Sequence, residues 1–106
     1  MNVEVLGTEY EVVIDDMNNE RLSANDGLCY TFDKKILLRQ KELMSGETYE
    51  GKCERFRQVV RHELIHAFGE ESGVSYDNDE ALVDWIARMI PKINIAFDEI
   101  MEANTK

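Results

Sequence analysis

Phe56-Arg57-Gln58-Val59-Val60-Arg61-His62-Glu63-Leu64-Ile65-His66-Ala67-Phe68 carries apolar residues at 56, 59, 60, 64, 67 and 68. Steps of three and four residues gather these onto one stripe of an α-helix. The pattern predicts a helix from about Cys53 to near Gly73, a residue type suited to lie just past a helix end. Residues four apart are displaced by about 40° around a helix axis, so His62 and His66 project from one face, a turn apart. Two imidazoles in that relation can grip one metal ion. Glu63 lies about 60° around the axis from His66, close enough to reach a water on that ion without being a ligand itself. A general base in metal-assisted hydrolysis needs that placement. The plainer alternative is a polar helix face on which both histidines are satisfied by water or by Glu70.

A catalytic zinc site usually takes three protein ligands and keeps one position for water. The downstream acids are Glu70, Glu71, Asp77, Asp79, Glu80 and Asp84. Glu80 is favoured because it opens the next helix, which can fold back antiparallel across a short turn. Asp84, one turn further on the same face, is placed to orient a ligating histidine through its second ring nitrogen. Two competing readings stay open. Asp77 and Glu80 also fit a capping box, and Glu70 is a possible ligand four residues after His66. Cys29 is a further thiol that nothing in the sequence brings to the metal.

Outward from the motif, the second helix is announced by Asp77-Asn78-Asp79-Glu80, an acidic cluster suited to the positive end of a helix dipole. Leu82, Trp85, Ile86, Met89, Ile90, Ile93, Phe97 and Ile100 keep one helical phase through Pro91. The expectation is a long helix kinked near Pro91, or two helices in register, because proline cannot donate to the carbonyl of Ala87. Upstream, Val3–Leu6 and Tyr10–Ile14 are β-rich and separated by Gly7-Thr8-Glu9. Asp15–Gly27 reads as a loop with a helical turn around Glu20–Ser23, and Leu28–Phe32 and Ile36–Arg39 form a second strand pair joined by Asp33-Lys34-Lys35. Lys41–Lys52, punctuated by Gly46 and Gly51, reads as a mobile connection. The sum is one α+β domain over 1–106, with a small, mainly antiparallel sheet packed on the motif helix and the C-terminal helix.

Composition narrows the partners. Twelve Lys plus Arg against 22 Asp plus Glu leave a formal net charge of -10, which repels phosphate backbones and anionic membranes. Nucleic acid and membrane are therefore excluded as expected partners, and a protein or peptide is expected instead. No apolar run approaches the roughly 18 residues of a membrane span, and the N-terminus lacks a basic segment followed by an apolar stretch, so a cytoplasmic location is expected. Cys29 and Cys53 form no CxxC pair and read as two buried free thiols.

Val60-Arg61-His62-Glu63-Leu64-Ile65-His66-Ala67-Phe68, followed by Glu80-Ala81-Leu82-Val83-Asp84-Trp85-Ile86-Ala87, resembles the gluzincin-type zincin metallopeptidases. More narrowly, it is similar to compact phage and mobile-element proteins related to the ImmA/IrrE metallopeptidases. The resemblance is specific over Val60–Pro91 and looser over Gly27–Arg39. It implies a minimal zincin-like fold, zinc as Zn2+, peptide hydrolysis and a phage or prophage setting. Glu80, Asp84 and Ala87 match the spacing of the third ligand, the acidic residue one turn later and the alanine beyond it. The connection between the two helices is shorter than in the larger relatives.

The expected mechanism is peptide-bond hydrolysis with zinc on His62, His66 and Glu80 and with Glu63 as the base. Ile36–Arg39 is the expected exposed strand for an extended substrate, and Tyr49, Tyr76 and Arg61 are unranked candidates to stabilise the oxyanion. The alternative is a zinc-binding module that captures a regulator or another protein without cutting it.

Overall fold

The computed structural model describes residues 1–15, 22, 25–74 and 79–104. Four strands come first: β1 (Asn2–Val5), β2 (Thr8–Asp15), β3 (Gly27–Tyr30) and β4 (Lys35–Arg39). A 3-10 turn over Lys41–Leu43 leads to helix α1 (Tyr49–Ser72), and helix α2 (Glu80–Asn104) follows. The fold is α+β, as the sequence pattern predicts.

The sheet is mixed, with spatial order β1-β2-β4-β3. β1 pairs antiparallel with β2, β3 antiparallel with β4, and β2 parallel with β4. The first turn sits at Leu6-Gly7 rather than Gly7-Thr8-Glu9, because both residues take positive φ (49° and 86°), the twist that a two-residue hairpin requires. β4 is interior, with Ile36, Leu37 and Leu38 all buried, so the expectation that Ile36–Arg39 is an exposed strand is overturned. Three successive apolar residues point to both faces of a sheet, which suits a central strand and not a border. The edge beyond β4 belongs to β3.

α1 lies between two apolar layers. Toward the sheet, Val59 and Ala67 join Val5, Tyr10, Ile36, Leu38 and Met44 in one buried cluster. Toward α2, Ile65 meets Val83 and Ala87. Its start is capped by the Thr48 hydroxyl, which accepts from the Gly51 N–H at 2.9 Å. Its end is closed by Gly73 in the left-handed conformation, with the Gly73 and Val74 N–H groups returning to Glu70 and Gly69. The Lys41–Lys52 stretch is not a loose connection: it contains the 3-10 turn, the buried Met44 and the first turn of α1.

α2 is one helix with Pro91 inside it. Asp79 accepts from the Leu82 N–H at 3.0 Å and acts as its cap, which releases Glu80 from that role. Asp77, the cap in the competing capping-box reading, lies outside the described residues, as do most of the predicted turn around Glu20–Ser23 and Tyr76. α2 buries only Val83 and Ala87, and every described residue from Lys92 onward is exposed, so most of its apolar stripe meets no other element. No helix among the described residues is long and apolar enough to cross a membrane.

One polar cluster ties the end of α1 to the sheet. Glu71 accepts from the Tyr10 hydroxyl and from Lys34 Nζ, each at 2.7 Å. Hydrogen bonds from Lys34, Tyr10 and Thr8 hold its carboxyl down at about 2, below the ordinary 4.5. Burial, with the Glu71 bond next, pushes the Tyr10 hydroxyl up. The depressed folded value means that the unfolded chain binds this proton more readily, so the stabilisation is complete above pH 4.5 and is lost as pH falls toward about 2. Across that window the melting temperature of Glu71→Gln is expected to fall less than that of the parent chain. Parallel curves in a pH series of thermal melts would contradict the coupling.

Candidate metal centre

Backbone geometry sets the first half of the site. On α1 the rings of His62 and His66 stand with centroids 5.0 Å apart and planes tilted by 58°. Packing sets the second half, since the contact of Ile65 with Val83 and Ala87 brings the start of α2 over that face. Glu80 then lies between the imidazoles. Its Oε2 is 2.9 Å from His62 Nε2 and its Oε1 is 2.8 Å from His66 Nε2. The three side chains form a group able to hold a metal ion, with one ligand atom from each within 4.8 Å of the others. Tetrahedral bonds of about 2.0–2.1 Å separate neighbouring ligand atoms by roughly 3.3 Å, so small side-chain rotations open this cluster around an ion. Both Nε2 atoms face the carboxylate, which leaves each Nδ1 free to take an outer partner.

For His62 that partner is Asp84, whose Oδ1 lies 3.5 Å from Nδ1. Asp84 is itself held: Gln58 donates to Oδ1 at 3.3 Å and Arg88 to Oδ2 at 2.8 Å. Partial burial works against its ionisation, but the Gln58 bond, the Arg88 charge and bond, and His62 outweigh it, and its carboxyl stays below the ordinary range. The aspartate is therefore a fixed anion behind His62.

Glu63 is the one charged residue buried among the described ones, 7% exposed. Burial pushes its carboxyl up to about 7, with His62 opposing the rise and Glu80 adding to it. A cation on the neighbouring ligands favours the ionised form and draws that value down. Glu63, both histidines and Glu80 line one cavity of about 720 Å³, which also reaches Gly27 and Cys29 on β3.

Gly27 was not singled out by sequence reading, yet it sets the space for Glu63. A Cβ there would stand 2.7 Å from Val59 Cγ1, 3.0 Å from Glu63 Cγ and 3.2 Å from Glu63 Oε2. Only a glycine lets the start of β3 cross so closely over α1. The sequence puts it at the end of a polar loop, and its place directly before a strand is the one signal of a close approach. Asp26, the preceding residue, fastens the crossing by pairing with Arg39 at 3.1 Å and Arg55 at 2.9 Å.

Other sequence candidates fall elsewhere. Glu70 is exposed and outside the metal-ligand group. Cys29 lines the cavity but is not in that group. Tyr49, at the start of α1, and Arg61 do not line the cavity, so neither is placed to stabilise an oxyanion. The donors that do line it include Gln58, Arg55 and Arg39.

No protein-family model matches the chain, and no characterised protein or solved structure matches it.

Titration with Zn2+ or Co2+ is expected to give one ion per chain. His62→Ala, His66→Ala and Glu80→Ala should each weaken binding more than Asp84→Ala, for which a loss of about 10–100-fold is expected from an outer-shell group. Equal affinity across the set, by calorimetry, would show that the ion binds elsewhere. Separately, Gly27→Ala should lower stability by about 1–3 kcal/mol through overpacking; an unchanged denaturation midpoint would mean that the β3 crossing relaxes freely.

Proposed function

We propose that this chain is a zinc-dependent metallopeptidase that hydrolyses peptide bonds. The reading rests on one observation: the Nε2 atoms of His62 and His66 converge on the Glu80 carboxylate within 2.9 Å, beside a buried glutamate in an open cavity. Two imidazoles and a carboxylate are a donor set that suits zinc in hydrolases. Zinc bound there supplies Lewis acidity, acidifying a water and polarising a carbonyl.

The remaining steps belong to the chain's own groups. Glu63, one residue from a ligand, accepts the proton of the attacking water and returns it to the amine as the C–N bond breaks, so the products are a carboxylic acid and an amine. Its burial suits the first half of that task, because a carboxylate whose carboxyl is pushed up toward 7 takes a proton more readily than a solvated one. Asp84 fixes the ring of His62 through Nδ1. β3 borders the cavity and pairs with β4 on one side, so an extended peptide can add to its other edge and pass above Glu63. Strand addition at β3 replaces the role that the sequence suggested for β4. The phage or mobile-element setting implied by the resemblance belongs to the same proposal.

A metal-binding module that captures a protein without cutting it is the second reading. It is favoured by the position of Tyr49 and Arg61, two of the three oxyanion candidates read from the sequence, outside the cavity, which leaves Gln58, Arg55 and Arg39 among its described side-chain donors.

Incubation of the zinc-loaded chain with a peptide library, read by mass spectrometry, separates the two. Cleavage that a chelator stops is expected, and Glu63→Gln should retain one zinc per chain while turnover falls by at least roughly 100-fold, the low end for an acid–base group. Turnover retained in Glu63→Gln refutes the assigned base, and stoichiometric zinc without any cleavage by the parent chain favours the capture module.

A further inference from the structure

α2 carries a second pattern unrelated to the metal. Ile86, Ile93 and Ile100 recur at seven-residue steps, with Leu82, Met89 and Ala96 interleaved four residues before each. This is the a and d repetition of a helix that pairs with another helix. α1 covers only one flank of the first turns, through Val83 and Ala87, with Ile86 and Ile90 packed beside them. Ile93, Phe97 and Ile100 remain 58–62% exposed. A stretch of three or four turns has little helical stability of its own in water, and apolar residues along it call for a cover.

We infer that the uncovered seam of α2 is a self-association face, on which α2 of a second copy packs antiparallel about a two-fold axis near Ile95. Charge selects the occupant and its direction. Lys92 and Glu99 stand one heptad apart on the flank of the seam that α1 leaves free. In a parallel pair this flank faces the positions of Phe97 and Asn104, and neither charge meets its opposite. In an antiparallel pair the flank faces itself, so Lys92 meets Glu99 of the second copy, and the two-fold axis makes the pair twice. Ile93 then packs against Ala96 of the second copy, and Ile100 against Met89.

The area is of the right order. Trp85, Ile93, Phe97 and Ile100, on the seam and its flanks, are 58–62% exposed. At about 200 Å² for a large apolar side chain this is roughly 480 Å² per copy, which flanking polar residues bring toward the ~800 Å² per partner of a standard interface and which suits a reversible dimer. A lipid surface fits less well, because interfacial helices carry basic flanks, whereas Asp98, Glu99 and Glu102 line this one. The formal charge of -10 per copy opposes association and is screened beyond ~8 Å at physiological salt.

Sedimentation equilibrium of the full chain at physiological salt, from micromolar to about 100 µM, tests the inference without reference to zinc or catalysis. A reversible dimer is expected. Lys92→Glu and Glu99→Lys should each weaken it roughly tenfold, equivalent to about 1.4 kcal/mol, and the double variant carrying both should recover parental affinity. Ile93→Asp should be monomeric with unchanged metal uptake. A parent chain that is monomeric throughout overturns the inference, as does a dimer indifferent to Ile93→Asp or a double variant no tighter than the singles. Binding of the monomer to neutral phosphatidylcholine vesicles, blocked by Ile93→Asp, would give the seam to lipid and overturn it equally.

Discussion

The two-sided burial of α1 governs this molecule. Val59 and Ala67 press one side against the sheet, Ile65 presses another against α2, and the turn that carries His62, Glu63 and His66 is held between them. A helix clamped in this way cannot rotate by even a fraction of a turn without withdrawing apolar groups from both layers, each worth about 1.5–3 kcal/mol when fully buried. The face presented by the histidines is fixed by hydrophobic packing, and the polar contacts only refine it. Glu63 shares in this constraint, since it sits one residue from His62 and its carboxyl is carried below the surface along with the helix.

Much of this arrangement was legible in the residues. Three- and four-step spacing gave both helices, the glycine at 73 gave the end of the first, and the i, i+4 relation of His62 and His66 depends on helix geometry alone. The position of Glu80 was legible because it opens the next helix only a short turn later. Strand order was not. Ile36-Leu37-Leu38, apolar on both faces, suits an interior strand, but which strands flank it is set by tertiary packing, above all by the parallel pairing with β2. Nor could the cap of α2 be fixed from sequence: Asp77 and Asp79 are both suitable, and the choice of Asp79 frees Glu80 for the histidines.

The least legible feature was Gly27. In sequence it merely ends a polar loop, whereas in space it defines the separation between β3 and α1 and hence the room around Glu63. Edge strand, glutamate and histidine pair are thus parts of one construction, in which a missing side chain on the sheet makes space for a buried one on the helix. The same crossing explains why Asp26 is tied to both Arg39 and Arg55, since the loop must be anchored where it passes over the helix.

α2 is attached to the rest of the chain by a small apolar contact, Val83 and Ala87 against Ile65, by the contacts of Asp84 with Gln58 and His62, and by the polar bridge from Glu80 to the two histidines. A cation at that bridge therefore acts as a cross-link closing the loop between residues 62 and 80, and its affinity enters directly into the free energy of docking the second helix. Were an ion held there, its occupancy would be coupled to the docking of the C-terminal quarter of the chain, and its removal would loosen α2 before it disturbed the sheet.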